Sequence, residues 1–119
     1  MANNVFGQPL QPCCFEPMTG YFRDGFCRTG TGDTGTHTVC AIMTEAFLEF
    51  SQSVGNDLST PRPGFDFPGL KPGDQWCICL TRWLQAYHEG IAPKVVLEAT
   101  HEKSLELIDL TELIKFAAK

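Results

Sequence analysis

The chain predicts an α+β fold: a single small mixed sheet packed with about three helices and joined by long, ordered Pro/Gly-rich loops. Three observations carry this. Strand-like and helix-like patterns alternate after residue 37, so one sheet with packed helices is the expected layering. The first 37 residues read as loops around a hairpin-like piece, not as a strand–helix–strand unit, which favours α+β over a parallel sheet. Residues 55–74 hold Pro61, Pro63, Pro68 and Pro72 among glycines, yet also Leu58, Phe65, Phe67 and Leu70. A solvated linker has no use for those apolar side chains.

The elements follow in order. Pro9, Pro12 and Pro17 break any helix near the start. TGYFRDGFC predicts a tight turn at Asp24-Gly25, anchored by Tyr21, Phe22 and Phe26. The glycines that follow have neither a GxGxxG pattern nor a P-loop Lys-Ser/Thr, so they predict turns and no phosphate cradle. Thr38–Met43 predicts a strand with Val39, Ala41 and Met43 on one face and Cys40 and Ile42 on the other. A helix follows, capped by Thr44 and ended at Gly55 or Asn56; Phe47, Phe50 and Val54 form its apolar stripe.

Lys71-Pro72-Gly73-Asp74 predicts a turn with Pro and Gly in the central positions. Gln75–Leu80 predicts a second strand, with Trp76, Ile78 and Leu80 facing one way and Cys77 and Cys79 the other. Thr81 is the expected cap of a second helix carrying Trp83, Leu84 and Tyr87, stopped at Gly90 and Pro93. Lys94–Ala99 predicts a third, buried strand. Residues 100–108 fit a capped helical turn or a strand equally well. Asp109 opens a last helix with Leu110, Leu113, Ile114 and Ala117 on one side.

A length of 119 residues predicts a single domain over 1–119, its loop-rich part at 1–37 and its ordered Pro/Gly loop at 55–74. The net charge is −5, and the nine basic residues never form a run. A sequence-independent nucleic-acid binder needs a clustered basic face, so nucleic acid is not an expected partner. The N-terminus lacks a basic and apolar leader pattern, and no apolar run is long enough to span a bilayer. No membrane partner and a cytoplasmic location are therefore expected.

Six cysteines are present: Cys13, Cys14, Cys27, Cys40, Cys77 and Cys79. In a reducing compartment such thiols are buried small hydrophobes, reactive groups or metal ligands. Cys77 and Cys79 at i, i+2 on a strand put their sulfurs on one face, about 6–7 Å apart along the chain. Cys40, Cys77, Cys79 and His37 form the candidate metal set, with zinc the candidate cofactor. There is no CxxC pair, so neither a zinc ribbon nor a thioredoxin-like motif is present. Cys79 near a helix N-terminus is the first candidate nucleophile, with Cys77 the other, and His101, past the third strand, the candidate base, with His37 the other choice. Arg62, Asp74, Thr81 and Arg82 are candidate contacts for a small polar or anionic ligand, with Asp57 and Asp66 in the same loop. Three readings follow: a small binding domain with its site at the Cys77/Cys79 strand end, a cysteine-dependent enzyme, and an interaction module presenting the loop at Thr60-Pro61-Arg62-Pro63 with its Phe65 and Phe67.

The segments NVFGQPLQPC, GYFRDGFC, HTVCAIMT, GNDLSTPRP, FPGLKPGDQWCICLTRW and VVLEATHEKSLEL together resemble an uncharacterised bacterial family. It is catalogued as domain of unknown function number two thousand two hundred and thirty-seven. The resemblance runs from Asn4 to about Phe116. It implies a small single-domain bacterial protein and brings no activity, substrate or catalytic residue.

Overall fold

Two short strands, β1 (Val39–Ile42) and β2 (Gln75–Ile78), pair antiparallel and carry residues of both apolar clusters. The computed structural model describes residues 2–33, 36–65 and 67–118, the side chain of Phe65 excepted. Val39 pairs with Ile78, Cys40 with Cys77, Ala41 with Trp76 and Ile42 with Gln75. The register follows from the alternation: Val39, Ala41, Trp76 and Ile78 enter the main apolar core, while Cys40 and Cys77 enter a second, smaller cluster. A shift of one residue would exchange the two sets. Helices α1 (Glu45–Ser53), α2 (Leu80–His88) and the one-turn α3 (Leu110–Leu113) complete an α+β arrangement.

Thr44 caps α1 as expected, its hydroxyl accepting from the Phe47 N–H at 3.0 Å. Phe47, Leu48 and Ser51 are the buried residues of α1; Phe50 and Val54 of the expected stripe are half-buried. Gly55, at φ +89°, closes the helix, and Asn56 N–H reaches the Ser51 carbonyl. The turn at Lys71–Asp74 also forms, with Gly73 at φ +97° and Asp74 N–H bonded to the Lys71 carbonyl at 3.0 Å.

Several expectations are corrected. Helix α2 is capped by Cys79, not Thr81: the Leu80 N–H is drawn to the Thr36 carbonyl, and Trp83 N–H already bonds to Cys79. The strand therefore ends at Ile78, and Cys79 no longer shares the strand face of Cys77. The expected third strand is an extended edge only at Lys94–Val96, where Ile42 N–H meets the Lys94 carbonyl and Val96 N–H the Cys40 carbonyl. It then tightens into a 3-10 turn, Leu97–Ala99, because the Thr100 hydroxyl bonds back to the Val96 carbonyl. Residues Glu102–Glu106 are also 3-10, and the last helix passes into 3-10 at Ile114–Phe116, which leaves Ile114 exposed. Near the N-terminus, Tyr21 and Phe22 are exposed and pack edge to face, so they do not anchor the turn.

The core centres on Trp83, fully buried under Tyr87 and Phe116, with its indole N–H donating to the Pro93 carbonyl at 3.1 Å. Phe67 packs on Trp76 with ring centroids 5.3 Å apart. Gly69 has φ +82°, and a Cβ there would meet the Ser59 carbonyl oxygen at 2.5 Å. Gly55 has a similar φ and open space around it. Gly55→Ala is thus expected to cost about 1 kcal/mol through backbone strain alone. Gly69→Ala is expected to cost roughly 2–3 kcal/mol, because backbone must also move. Urea denaturation midpoints of the two variants measure the difference, and equal shifts would show that the loop yields freely.

Candidate functional site: a sulfur cluster and the cleft beside it

Cys40 and Cys77 face one another across the two strands, and each is bonded to a cysteine of the N-terminal loops. Cys13 pairs with Cys40 at a Cα separation of 5.7 Å, and Cys27 with Cys77 at 5.2 Å. These four are bridged in this structure, where unbridged thiols were expected. Residue spacing carries no trace of this, since the pairs are 27 and 50 positions apart. All four are at most 5% exposed, with Ala99 and Val96 over them. The sulfurs of Cys13, Cys27 and Cys77 lie within 4.8 Å of one another, close enough that the cluster could hold a metal ion.

The other two members of the expected metal set lie elsewhere. Cys79 is half-buried and unbridged, with its sulfur 3.1 Å from the Thr81 hydroxyl. His37 is held by Asp33: its Nδ1–H donates to Oδ1 at 2.6 Å, and its backbone N–H donates to Oδ2 at 2.9 Å. The Asp33 side chain is fully buried. Burial alone would raise its pKa, but the His37 N–H, the His37 ring and the Thr29 hydroxyl together outweigh this and hold it below the usual carboxylate value. Asp33 is therefore ionised, and the proton of a neutral His37 ring stays on Nδ1, leaving Nε2 as an acceptor. The Tyr21 ring stacks on the imidazole at a centroid distance of 6.2 Å.

His37 lies on a cleft of about 550 Å³. The Gly20–Arg23 turn forms one wall, Asp57, Leu58 and Arg62 another, and Phe67, Trp76 and Cys77 the floor. Arg23 lies over the Trp76 ring at 5.2 Å, with one Nη donating to the Gly20 carbonyl. Among the described residues neither Arg23 nor Arg62 is in an ion pair. Asp57 is engaged locally: its carboxylate accepts from the Thr60 hydroxyl and from the Ser59 and Thr60 N–H groups. Those bonds, the Thr60 hydroxyl first, lower its pKa. A smaller recess of about 200 Å³ continues past His37, Trp76 and Cys77 to Cys79 and Arg82.

The remaining candidates separate. His101 is absent from the lining of both spaces. Its Nδ1 accepts from the Lys103 N–H at 3.0 Å and so caps the 3-10 turn. Asp74 accepts from the Lys71 N–H, holding its own turn, and faces a different groove with Phe15 and Pro68. Thr81 is exposed beside Cys79, and Arg82 spends its guanidinium on the Val54 carbonyl and Gln85. Asp66 lies outside the described residues. Cys13, Cys27, Arg23 and Asp33 are outside the set of candidates that the sequence offers; the local sign for Asp33 is an acid four positions before a histidine in a small, polar loop.

The sequence profile of a family described as an uncharacterised protein conserved in bacteria, DUF2237, matches residues 3–117. The chain belongs to this family. A search of curated proteins finds no match. Among the described residues no helix is long and apolar enough to cross a membrane. Membership in DUF2237 names no ligand, so the chemistry of the site rests on its own geometry.

Two titrations check that geometry. Asp33 has a depressed folded pKa, so its stabilisation is present above the unfolded value of about 3.9 and lost as pH falls through the folded one. Asp33→Asn is expected to cost about 1–3 kcal/mol at pH 7. The gap to wild type should close on acidification, as read by thermal melts across pH. Burial, ahead of opposing pulls from neighbouring charges, holds His101 below 6.5. Its NMR titration should fall below that value, with stability declining as pH drops from about 6.5 through the lower folded pKa.

Proposed function

We propose that this chain is a small-ligand-binding domain whose ligand is an anion with a flat apolar part, held in the cleft between the Gly20–Arg23 turn and Arg62. The observation that carries this is the pair of guanidinium groups, free of carboxylate partners among the described residues, facing one concave space floored by an aromatic ring. Guanidinium groups match carboxylate and phosphate oxygens two bonds at a time. The exposed Tyr21 ring offers an apolar surface to the ligand body, while Trp76 and Phe67 line the cleft from the core. His37, aligned by Asp33, lines the same cleft. The volume suits a small molecule. A patch-presenting role for the loop fits less well, since Phe67 is buried; the Phe65 side chain lies outside the described residues.

The cysteine-enzyme reading keeps one specific support. Cys79 and His37, not His101, line the same recess, at the N-terminus of α2. Rapid alkylation of Cys79 by iodoacetamide below pH 8, slowed in His37→Ala, would favour it over simple binding; alkylation no faster than that of Cys14 would remove it.

Calorimetry with benzoate, phenyl phosphate and inorganic phosphate tests the binding proposal. Phenyl phosphate is expected to bind, with Arg23→Gln and Arg62→Gln each weakening it about tenfold to a hundredfold, as for loss of a charged hydrogen bond of about 1.5–3 kcal/mol. Benzylamine is expected to show no binding. Equal affinity for the amine and the phosphate ester, or unchanged affinity in both variants, would refute an anion site.

A further inference from the structure

We propose that Cys13, Cys27, Cys40 and Cys77 form a four-thiolate zinc site in the reduced protein, and that the two disulfides are the oxidised state of that same site. The two bridges do not lie apart. Three of the four sulfurs, drawn from both bridges, fall within 4.8 Å of one another, and the fourth is bonded to one of these. A tetrahedral zinc–thiolate centre has Zn–S distances of about 2.3 Å, which places its sulfurs about 3.8 Å apart. In such a site the Cys40 sulfur, held next to the group by its bond to Cys13, joins the three already gathered.

The backbone supports the convergence. The Cys40 N–H donates to the Thr100 hydroxyl at 3.2 Å, and the Cys77 N–H to the Thr19 hydroxyl at 2.8 Å. Both N–H groups thus point away from the partner strand, so Cys40 and Cys77 are a non-hydrogen-bonded pair, the closer kind, with side chains leaving on one face. Cys13 and Cys27 arrive from two separate loops onto that face. The loops need a staple: among the described residues from 2 to 33 there is no helix and only isolated bridges. In a reducing compartment the disulfides would be lost, and a metal bound by the same four sulfurs would hold the same segments. Cys14 and Cys79, both half-buried and unbridged, take no part.

The chemistry balances. Two equivalents of a dithiol reductant cleave the two S–S bonds, together delivering four electrons and four protons to give four thiols and two oxidised reductant molecules. Binding of one Zn²⁺ forms four Zn–S bonds and releases those four protons to water. A disulfide oxidant reverses the process, removing four electrons and expelling the ion. The cleft residues Arg23 and Arg62 contribute nothing to this site, so it stands or falls independently of the anion reading.

The test uses the whole chain carrying Cys14→Ser and Cys79→Ser, reduced by a phosphine without oxygen and then freed of reductant. Cobalt(II) is expected to bind at one ion per chain, with the intense visible bands and sulfur charge-transfer absorption of a tetrahedral thiolate complex. One equivalent of zinc should displace it, shield four thiols from a thiol reagent and raise the melting temperature of the reduced chain. The disulfide form should take up no cobalt. A second variant, Cys13→Ser with Cys40→Ser, leaves no odd thiol in the cluster and should weaken cobalt binding at least a hundredfold. Failure of the reduced protein to bind cobalt, or binding with the pale spectrum of oxygen and nitrogen ligands, would overturn the proposal.

Discussion

The non-hydrogen-bonded pair Cys40 and Cys77 is the constraint on which the rest depends. The two strands are only four residues each, and their two faces do different work. One face carries Val39, Ala41, Trp76 and Ile78 into the apolar core with Trp83 and Phe47. The other carries two sulfurs that reach out to the irregular N-terminal third. Cross-links closing loops of this length stabilise by about 3–4 kcal/mol each in the chain-entropy account. A segment without helices or strands cannot gather that much from its own packing. Its other fastenings are single bonds, such as Val5 N–H to the Thr100 carbonyl and the Asn4 amide to the Glu98 carbonyl.

The cleft is a product of the same attachment. The turn that bears Tyr21 and Arg23 lies between Cys13 and Cys27, so both of its ends are tied to the sheet. Docked there, it sets Arg23 over Trp76 and Tyr21 against His37. The opposite wall belongs to the loop before β2, where the close backbone approach at Gly69 and the Asp57 cap set the course of the chain. A ligand in this space would touch three segments far apart in the chain. Its affinity would rest on how firmly those segments are joined.

Much of the frame was legible beforehand. Apolar alternation located both strands and the faces taken within Val39–Ile42 and Gln75–Ile78; Thr44, Gly55, Gly73 and Gly90 marked helix ends and the turn. These are local matters, decided by a backbone preference or by the nearest few residues. Errors arose where a remote group outbid a local one. The Thr36 carbonyl moved the start of α2 from Thr81 to Cys79, and the Thr100 hydroxyl ended the third extended segment early. His101, expected past a third strand, caps a 3-10 turn through Nδ1.

The sequence by itself determined the α+β class, the two strands, the sidedness that sends Cys40 and Cys77 away from the core, and the family. Only the tertiary structure decided which thiols meet, that Arg23 and Asp33 belong to the site, and that Cys79 stands apart from Cys77. The reason is physical. Alternation and capping are written in neighbouring residues, whereas sulfur pairing and a cleft's charge depend on segments 27 to 50 positions apart being brought within a few ångströms.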